Sequence, residues 1–198
     1  MVISIFLGNQ NSGKTLSMTY FCKLYKQKGY EIFSNYNLNF EHKKLTKDLI
    51  EEYTKSRQQF KKTVFAIDEI YLFFDSRSSA SKSNKIFSYF VTQTSKNDVV
   101  LLGTAQYFNT VEKRFRDNVN NIIYCNRVLK TKYKGFKDIK QNKRFLPNKI
   151  NDKLYIKMLL IRKYINGISE SINKKTLFLK ANRFYNLYNT KELINLTE

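Results

Sequence analysis

Short apolar runs alternate along the chain with longer stretches of mixed polarity, and the two patterns predict different elements. Val2-Ile-Ser-Ile-Phe-Leu7 is β-branched and apolar, which predicts a buried strand. Lys14 to Lys28 consists of good helix formers and stops before Gly29, a residue suited to a helix C-terminus. Glu31 to Leu38 alternates loosely and predicts a second strand. Thr46 to Gln59 is polar and predicts a helix, with Asp48, Glu51 and Glu52 toward its start and Lys55 and Arg57 toward its end, as the helix dipole favours. Thr63-Val-Phe-Ala-Ile67 predicts a further buried strand that runs into the acids Asp68 and Glu69. A helix over Lys85 to Thr94 follows, with Ile86, Tyr89 and Phe90 on one face; then a strand from Asp98 to Gln106, a helix from Tyr107 to Asn118, and a strand from Asn121 to Val128. Strand followed by helix, repeated, predicts an α/β fold with a mainly parallel sheet and right-handed crossovers.

Between the first strand and the first helix lies Gly8-Asn9-Gln10-Asn11-Ser12-Gly13-Lys14-Thr15, which fits the phosphate-binding loop G-x-x-x-x-G-K-[ST]. Glycines let the backbone turn tightly and aim successive N–H groups at phosphate oxygens. Lys14 reaches the β- and γ-phosphates, and the Thr15 hydroxyl is a ligand for Mg²⁺. The helix that opens at Lys14 presents its positive dipole end to the same anion. An acid at the end of a central strand completes such a site by holding the metal, and a second acid beside it can act as general base toward the attacking water. Neighbours on a strand face opposite ways, so Asp68 is expected on the metal and Glu69 on the water. Gln106, at the end of its strand, is placed to sense a γ-phosphate or water. The predicted fold is therefore a P-loop NTPase three-layer sandwich that binds ATP and Mg²⁺.

Charge adds a partner. The 198 residues hold 36 Lys and Arg against 16 Asp and Glu, a formal net charge of +20, which favours a polyanion, nucleic acid before anionic membrane. An AT-rich genome that overuses Lys and Asn produces part of the same balance. Cys22 and Cys125 are isolated and there is one His, so zinc-type spacing is absent and a reducing compartment is expected. The start lacks the basic region of a secretory signal, and no apolar run reaches the ~20 residues of a membrane helix. The expected location is cytoplasmic or virion-associated. Residues 130–198 differ from 1–129: between Lys130 and Arg183 basic residues such as Lys140, Lys143 and Arg144 are interleaved with Tyr133, Phe136, Phe145, Tyr155 and Tyr164. Leu154 to Ile165 and Thr176 to Leu179 predict strands, a hairpin turning near Asn166 and Gly167. The expected organisation is a core over 1–129 with a basic, β-rich appendage over 130–198 that completes the domain. Its cations can contact phosphates and its aromatics can stack on bases.

GNQNSGKT, then IDE with the aromatic tract and Arg77, then LLGTAQ and VEKRFRDN, together resemble the FtsK/HerA-type ATPases over roughly residues 1–130. Within them the chain is most similar to the packaging ATPases of membrane-containing and archaeal viruses and to the zonula-occludens-toxin-like assembly ATPases of filamentous phages. The resemblance implies an ATPase that translocates or packages double-stranded DNA as a homo-oligomeric ring, commonly a hexamer. It assigns Gly8, Gly13, Lys14 and Thr15 to the nucleotide, Asp68 and Glu69 to Mg²⁺ and water, and Gln106 to the sensor. The packaging ATPases place an arginine finger just before the sensor strand; here that segment carries Lys96 and no arginine, so Arg77, Arg114 and Arg116 are the candidate fingers. A small-molecule or nucleoside kinase and a non-catalytic, nucleotide-gated scaffold are the rival readings. The Asp68-Glu69 pair speaks against the first and a complete P-loop with Glu69 against the second.

Overall fold

The computed structural model describes residues 2–56, 61–73, 90, 98–131, 135–138, 153–166 and 169–188. Among the described residues nine strands form one sheet: β1 (Val2–Leu7), β2 (Glu31–Ser34), β3 (Lys43–Lys44), β4 (Thr63–Ile67), β5 (Val99–Ala105), β6 (Asn121–Thr131), β7 (Gly135–Asp138), β8 (Lys153–Asn166) and β9 (Ser169–Lys180). Their order is β3-β2-β4-β5-β1-β6-β8-β9, with β7 paired to β6. From β3 to β6 every pairing is parallel. Beyond β6 the sheet turns antiparallel, with Asn121 opposite Arg162 and Lys130 opposite Lys153, and β9 in turn pairs with β8. The P-loop NTPase α/β fold read from the sequence is thus the observed one. The boundary drawn at 129/130 falls inside β6, and β8 and β9 continue the same sheet.

Two apolar layers sandwich the sheet, because strand residues alternate between faces. Ile3, Ile5 and Leu7 pack with Phe33, Phe65, Ile67 and Leu101 on one side. Phe6 packs on the other with Val64, Val100, Leu16, Met18 and Cys22. The last three belong to helix α1 (Lys14–Gln27), which covers that face. Helix α2 (Lys47–Ser56) contributes Ile50 to the first layer, and the Thr46 hydroxyl accepts the Leu49 N–H at its start. Among the described residues no helix is long and apolar enough to cross a membrane.

Some predicted elements differ in extent. β2 stops at Ser34 rather than Leu38, because the Ser34 hydroxyl donates to the Tyr36 carbonyl at 2.7 Å and accepts the Tyr36 N–H, replacing the ladder with a local turn. The helix expected over Tyr107 to Asn118 is broken into a 3₁₀ turn, Phe108–Thr110, and a short helix, Lys113–Asp117. Val111 between them is extended, and the buried Glu112 carboxylate caps the short helix by accepting the Phe115 N–H at 3.2 Å. The helix expected over 85–94 apart from the helical, buried Phe90, Arg77, Lys96, the end of the helix expected to Gln59, and the hairpin turn at Gly167 lie outside the described residues, as do Lys140, Lys143 and Arg144.

Candidate nucleotide site

The loop after β1 folds as its glycines require. Gly13 sits at φ +91°, in the left-handed region, at the N-terminus of α1. A Cβ there would also collide with the Ile156 side chain, which packs down onto the loop from β8. At Gly8, φ +150°, a Cβ would lie 2.6 Å from the Cys125 carbonyl of β6 and 2.5 Å from Ser12 Oγ. Glycine is therefore demanded at both ends of the loop by backbone angle and by close approach.

Lys14 is buried and its ammonium donates to the Asn9 carbonyl at 3.1 Å, within the loop it serves. The Thr15 hydroxyl donates to Asp68 at 3.0 and 3.2 Å to the two carboxylate oxygens. Asp68 is held from two further sides. The buried Thr104 of β5 donates its hydroxyl to Asp68 Oδ1 at 2.5 Å. Asn35, just past β2, clamps the Asp68 main chain: the Asp68 N–H donates to Asn35 Oδ1 at 2.7 Å, and the Asn35 amide donates to the Asp68 carbonyl at 2.9 Å. Neither Thr104 nor Asn35 stood out in the sequence. Both are short polar residues inside predicted strands, and their meeting with Asp68 depends on strand order, which sequence spacing does not encode.

Glu69 departs from the expected alternation. β4 ends at Ile67, and Glu69 takes a left-handed conformation, φ 51° and ψ 60°, so the two acids leave the strand in a turn. Both then line one cavity instead of facing opposite ways. The Glu69 N–H donates to the Thr104 hydroxyl at 2.9 Å, so one hydroxyl fixes both acids. A left-handed non-glycine residue costs on the order of 1–3 kcal/mol and persists where the surroundings enforce it.

The cavity measures about 300 Å³ and is lined by residues 10–16 of the loop and α1, by Asp68 and Glu69, and by Tyr36, Arg127, Ile156, Tyr185 and Tyr188. Burial raises the Asp68 carboxyl above its ordinary pKa, against the opposing Thr104 and Thr15 bonds and the Lys14 charge. Burial also raises Glu69, helped by the Asp68 charge and opposed by Lys14 and by a hydrogen bond from Tyr71. Tyr188 is pushed up to about 12, chiefly by burial and then by the Asp68 charge. Ser12 Oγ and Glu69 Oε2 are buried in this region without a hydrogen-bond partner among the described residues. Two orphaned polar atoms, a buried ammonium and a loop of N–H groups suit an occupant rich in anionic oxygen.

The residues also fit Mg²⁺. Thr15 Oγ1 and the Asp68 carboxylate are hard oxygen donors already in contact. Among the described residues no cluster of three or more His, Cys, Asp or Glu exists. Mg²⁺ is commonly held by one or two protein oxygens together with phosphate oxygens and water, so Thr15 and Asp68 would hold it alongside the nucleotide. The cation would supply the charge compensation that burial withholds from Asp68.

Of the other residues singled out from the sequence, Gln106 is exposed just past β5 and does not line the cavity. Arg114 and Arg116 lie on the short helix after it. The Arg116 guanidinium carbon stands 5.9 Å from the Phe108 ring centroid, and its Nε is buried without a partner among the described residues. Arg127, Ile156 and Tyr185 are cavity residues that sequence reading missed, because they come from the far side of the sheet and from a segment with no motif.

The N-terminal domain of zonular occludens toxin from Neisseria meningitidis has the same fold, with a TM-score of 0.59 over 95% of this chain and 98% of that one at 14% identity. The genome packaging NTPase B204 of Sulfolobus turreted icosahedral virus 2, in complex with ATP-gammaS, gives a TM-score of 0.52 over 89% of this chain and 98% of that one, also at 14% identity. No curated protein matches the chain. The sequence profile of the AAA family, the ATPase family associated with various cellular activities, matches residues 4–127, which include the P-loop, both acids and Arg127. That match spans more than half of the 198 residues, and with the P-loop NTPase fold around it the chain belongs to the AAA family of ATPases.

Proposed function

We propose that the chain hydrolyses ATP with Mg²⁺ and uses the cycle to translocate or package double-stranded DNA, as a viral genome-packaging motor of the FtsK/HerA type. The observation that carries this reading is the convergence of Lys14, Thr15, Asp68 and Glu69 on one cavity with the P-loop. Lys14 offsets the charge that develops on the β- and γ-phosphates. Thr15 and Asp68 would hold Mg²⁺, and Glu69, its pKa raised by burial, takes the proton of the attacking water. The net charge of +20 supports a DNA partner. The fold shared with a genome packaging NTPase supports the same reading. The subunits act as a homo-oligomeric ring in which Arg114 or Arg116 serves a neighbour's site.

A second reading, an assembly ATPase of the zonula-occludens-toxin-like type, is favoured by the 95% of the chain, β8 and β9 included, that shares its fold with the toxin domain. The steady-state ATPase rate with and without double-stranded DNA separates the two. Stimulation by DNA supports the motor, and indifference to DNA supports the assembly ATPase.

A further inference from the structure

Sheet order orients whatever lies on the P-loop. Asp68 and Glu69 follow β4, two strands to one side of β1, while Arg127 is on β6 and Ile156 on β8, one and two strands to the other side. The acids mark the γ-phosphate end, because metal and attacking water are needed there. The rest of a nucleotide must then run along the loop toward β6 and β8. Arg127 and Ile156 line the cavity at that end, and Tyr185, near enough to feel the Arg127 charge, lines it beside them.

These side chains suit a nucleoside. Arg127 makes no ion pair among the described residues. Tyr185 is 42% exposed, so its ring is available. Ile156 is buried against Gly13 and forms an apolar floor. Tyr185 is also held in place. It opens the 3₁₀ turn Tyr185–Leu187, which is pinned at both ends. Before it, Phe184 packs edge-on against Tyr20 of α1, with ring centroids 4.8 Å apart. After it, the Leu187 carbonyl accepts the Asn39 N–H at 2.8 Å, the Asn186 carbonyl accepts the Asn39 amide at 2.6 Å, and Tyr188 bridges to Leu38. A residue 170 positions along the chain from the P-loop Thr15 is thereby fixed at the mouth of the same cavity.

We propose that Arg127 and Tyr185 are the nucleoside-binding residues of the nucleotide site, holding the base and ribose of the bound nucleoside triphosphate between the guanidinium and the phenol ring above Ile156. This rests on the proposed nucleotide-binding role of the P-loop and adds to it the residues that recognise the nucleoside. Stacking on an aromatic ring is tolerant of base identity, and a guanidinium adds both stacking and planar donors.

Isothermal titration calorimetry of the full chain with ATP and with inorganic tripolyphosphate, both with Mg²⁺, tests it. Tripolyphosphate carries the phosphates and lacks the nucleoside. Wild type is expected to bind ATP at least ten-fold tighter than tripolyphosphate. Tyr185→Ala and Arg127→Ala should each cut ATP affinity about ten-fold, the scale of one lost stacking contact, and leave tripolyphosphate binding unchanged. Tyr185→Phe, which keeps the ring, should behave as wild type. Equal affinity of wild type for the two ligands, or an unchanged preference for ATP in both alanine variants, overturns the proposal while leaving the P-loop reading intact. So does an Arg127→Ala variant that loses ATP and tripolyphosphate alike, since Arg127 would then be a phosphate ligand. Wild type that binds neither ligand overturns the P-loop reading and this one with it.

Discussion

Replacing Thr104 by Val removes one oxygen atom and keeps the shape of the side chain. The hydroxyl it removes donates to Asp68 Oδ1 at 2.5 Å and accepts the Glu69 N–H at 2.9 Å, and Thr104 is fully buried. A hydrogen bond to a charged group contributes about 1.5–3 kcal/mol, and an N–H left unpaired costs about 1–3 kcal/mol. The two losses share one atom and are not additive, so the expected destabilisation is about 3 kcal/mol. Thr104→Ser is the control: it keeps the hydroxyl and loses a methyl group, which costs about 1 kcal/mol. Urea unfolding followed by circular dichroism gives both values. Turnover at saturating ATP should also fall about 10–100-fold in the valine variant, the usual range for losing a partner that orients a metal ligand. If Thr104→Val is as stable as wild type, or more stable than Thr104→Ser, the hydroxyl does not secure the two acids and the description of the site is wrong.

Three further predictions concern the loop, the acid Glu69 and the two buried cysteines. Lys14→Ala should abolish nucleotide binding or turnover, whereas Glu69→Gln should still bind ATP and turn over roughly 10²–10⁴-fold more slowly; a wild-type rate in the glutamine variant would move the water-activating role elsewhere. Gly13→Ala should destabilise by roughly 2–4 kcal/mol through its left-handed φ and its collision with Ile156. Adding Ile156→Val removes the nearest atom, so in a double-mutant cycle it should recover part of that loss, although alone it costs about 1 kcal/mol. Burial pushes the Cys22 and Cys125 thiols up to about 12, so a thiolate-specific reagent at pH 8 should label neither in the folded chain and both in denaturant. The raised values also mean that their contribution to stability is whole below the ordinary thiol pKa near 9 and is lost as pH climbs toward 12.

What the sequence disclosed was local. Val2 to Leu7, the glycines and Lys14 of the loop, and Thr63 to Ile67 carry their signals within a few residues, and each element lies where periodicity and motif put it. The pairing of Thr15 with Asp68 could be anticipated as well, because the chemistry of Mg²⁺ and phosphate needs both. Strand alternation predicts opposite faces for the acid pair, and the left-handed turn at Glu69 overrides it, since alternation ends where the strand ends. Asn35, Thr104, Arg127 and Tyr185 were invisible for a different reason. Each reaches the site from a separate strand or from the C-terminal turn, so its partners are set by sheet order and crossover, which no window of the sequence contains. The break at Val111 and Glu112 was hidden because a buried glutamate capping a short helix looks, in sequence, like an ordinary helical residue.

Movement along DNA is the central claim, and displacement of a triplex-forming strand from double-stranded DNA measures it most directly. With ATP and Mg²⁺ the wild-type chain should release the third strand at a rate that rises with ATP concentration and vanishes in Glu69→Gln, which still binds ATP. Release that is equal with and without ATP, or no release by a chain that hydrolyses ATP on the same DNA, would contradict the motor.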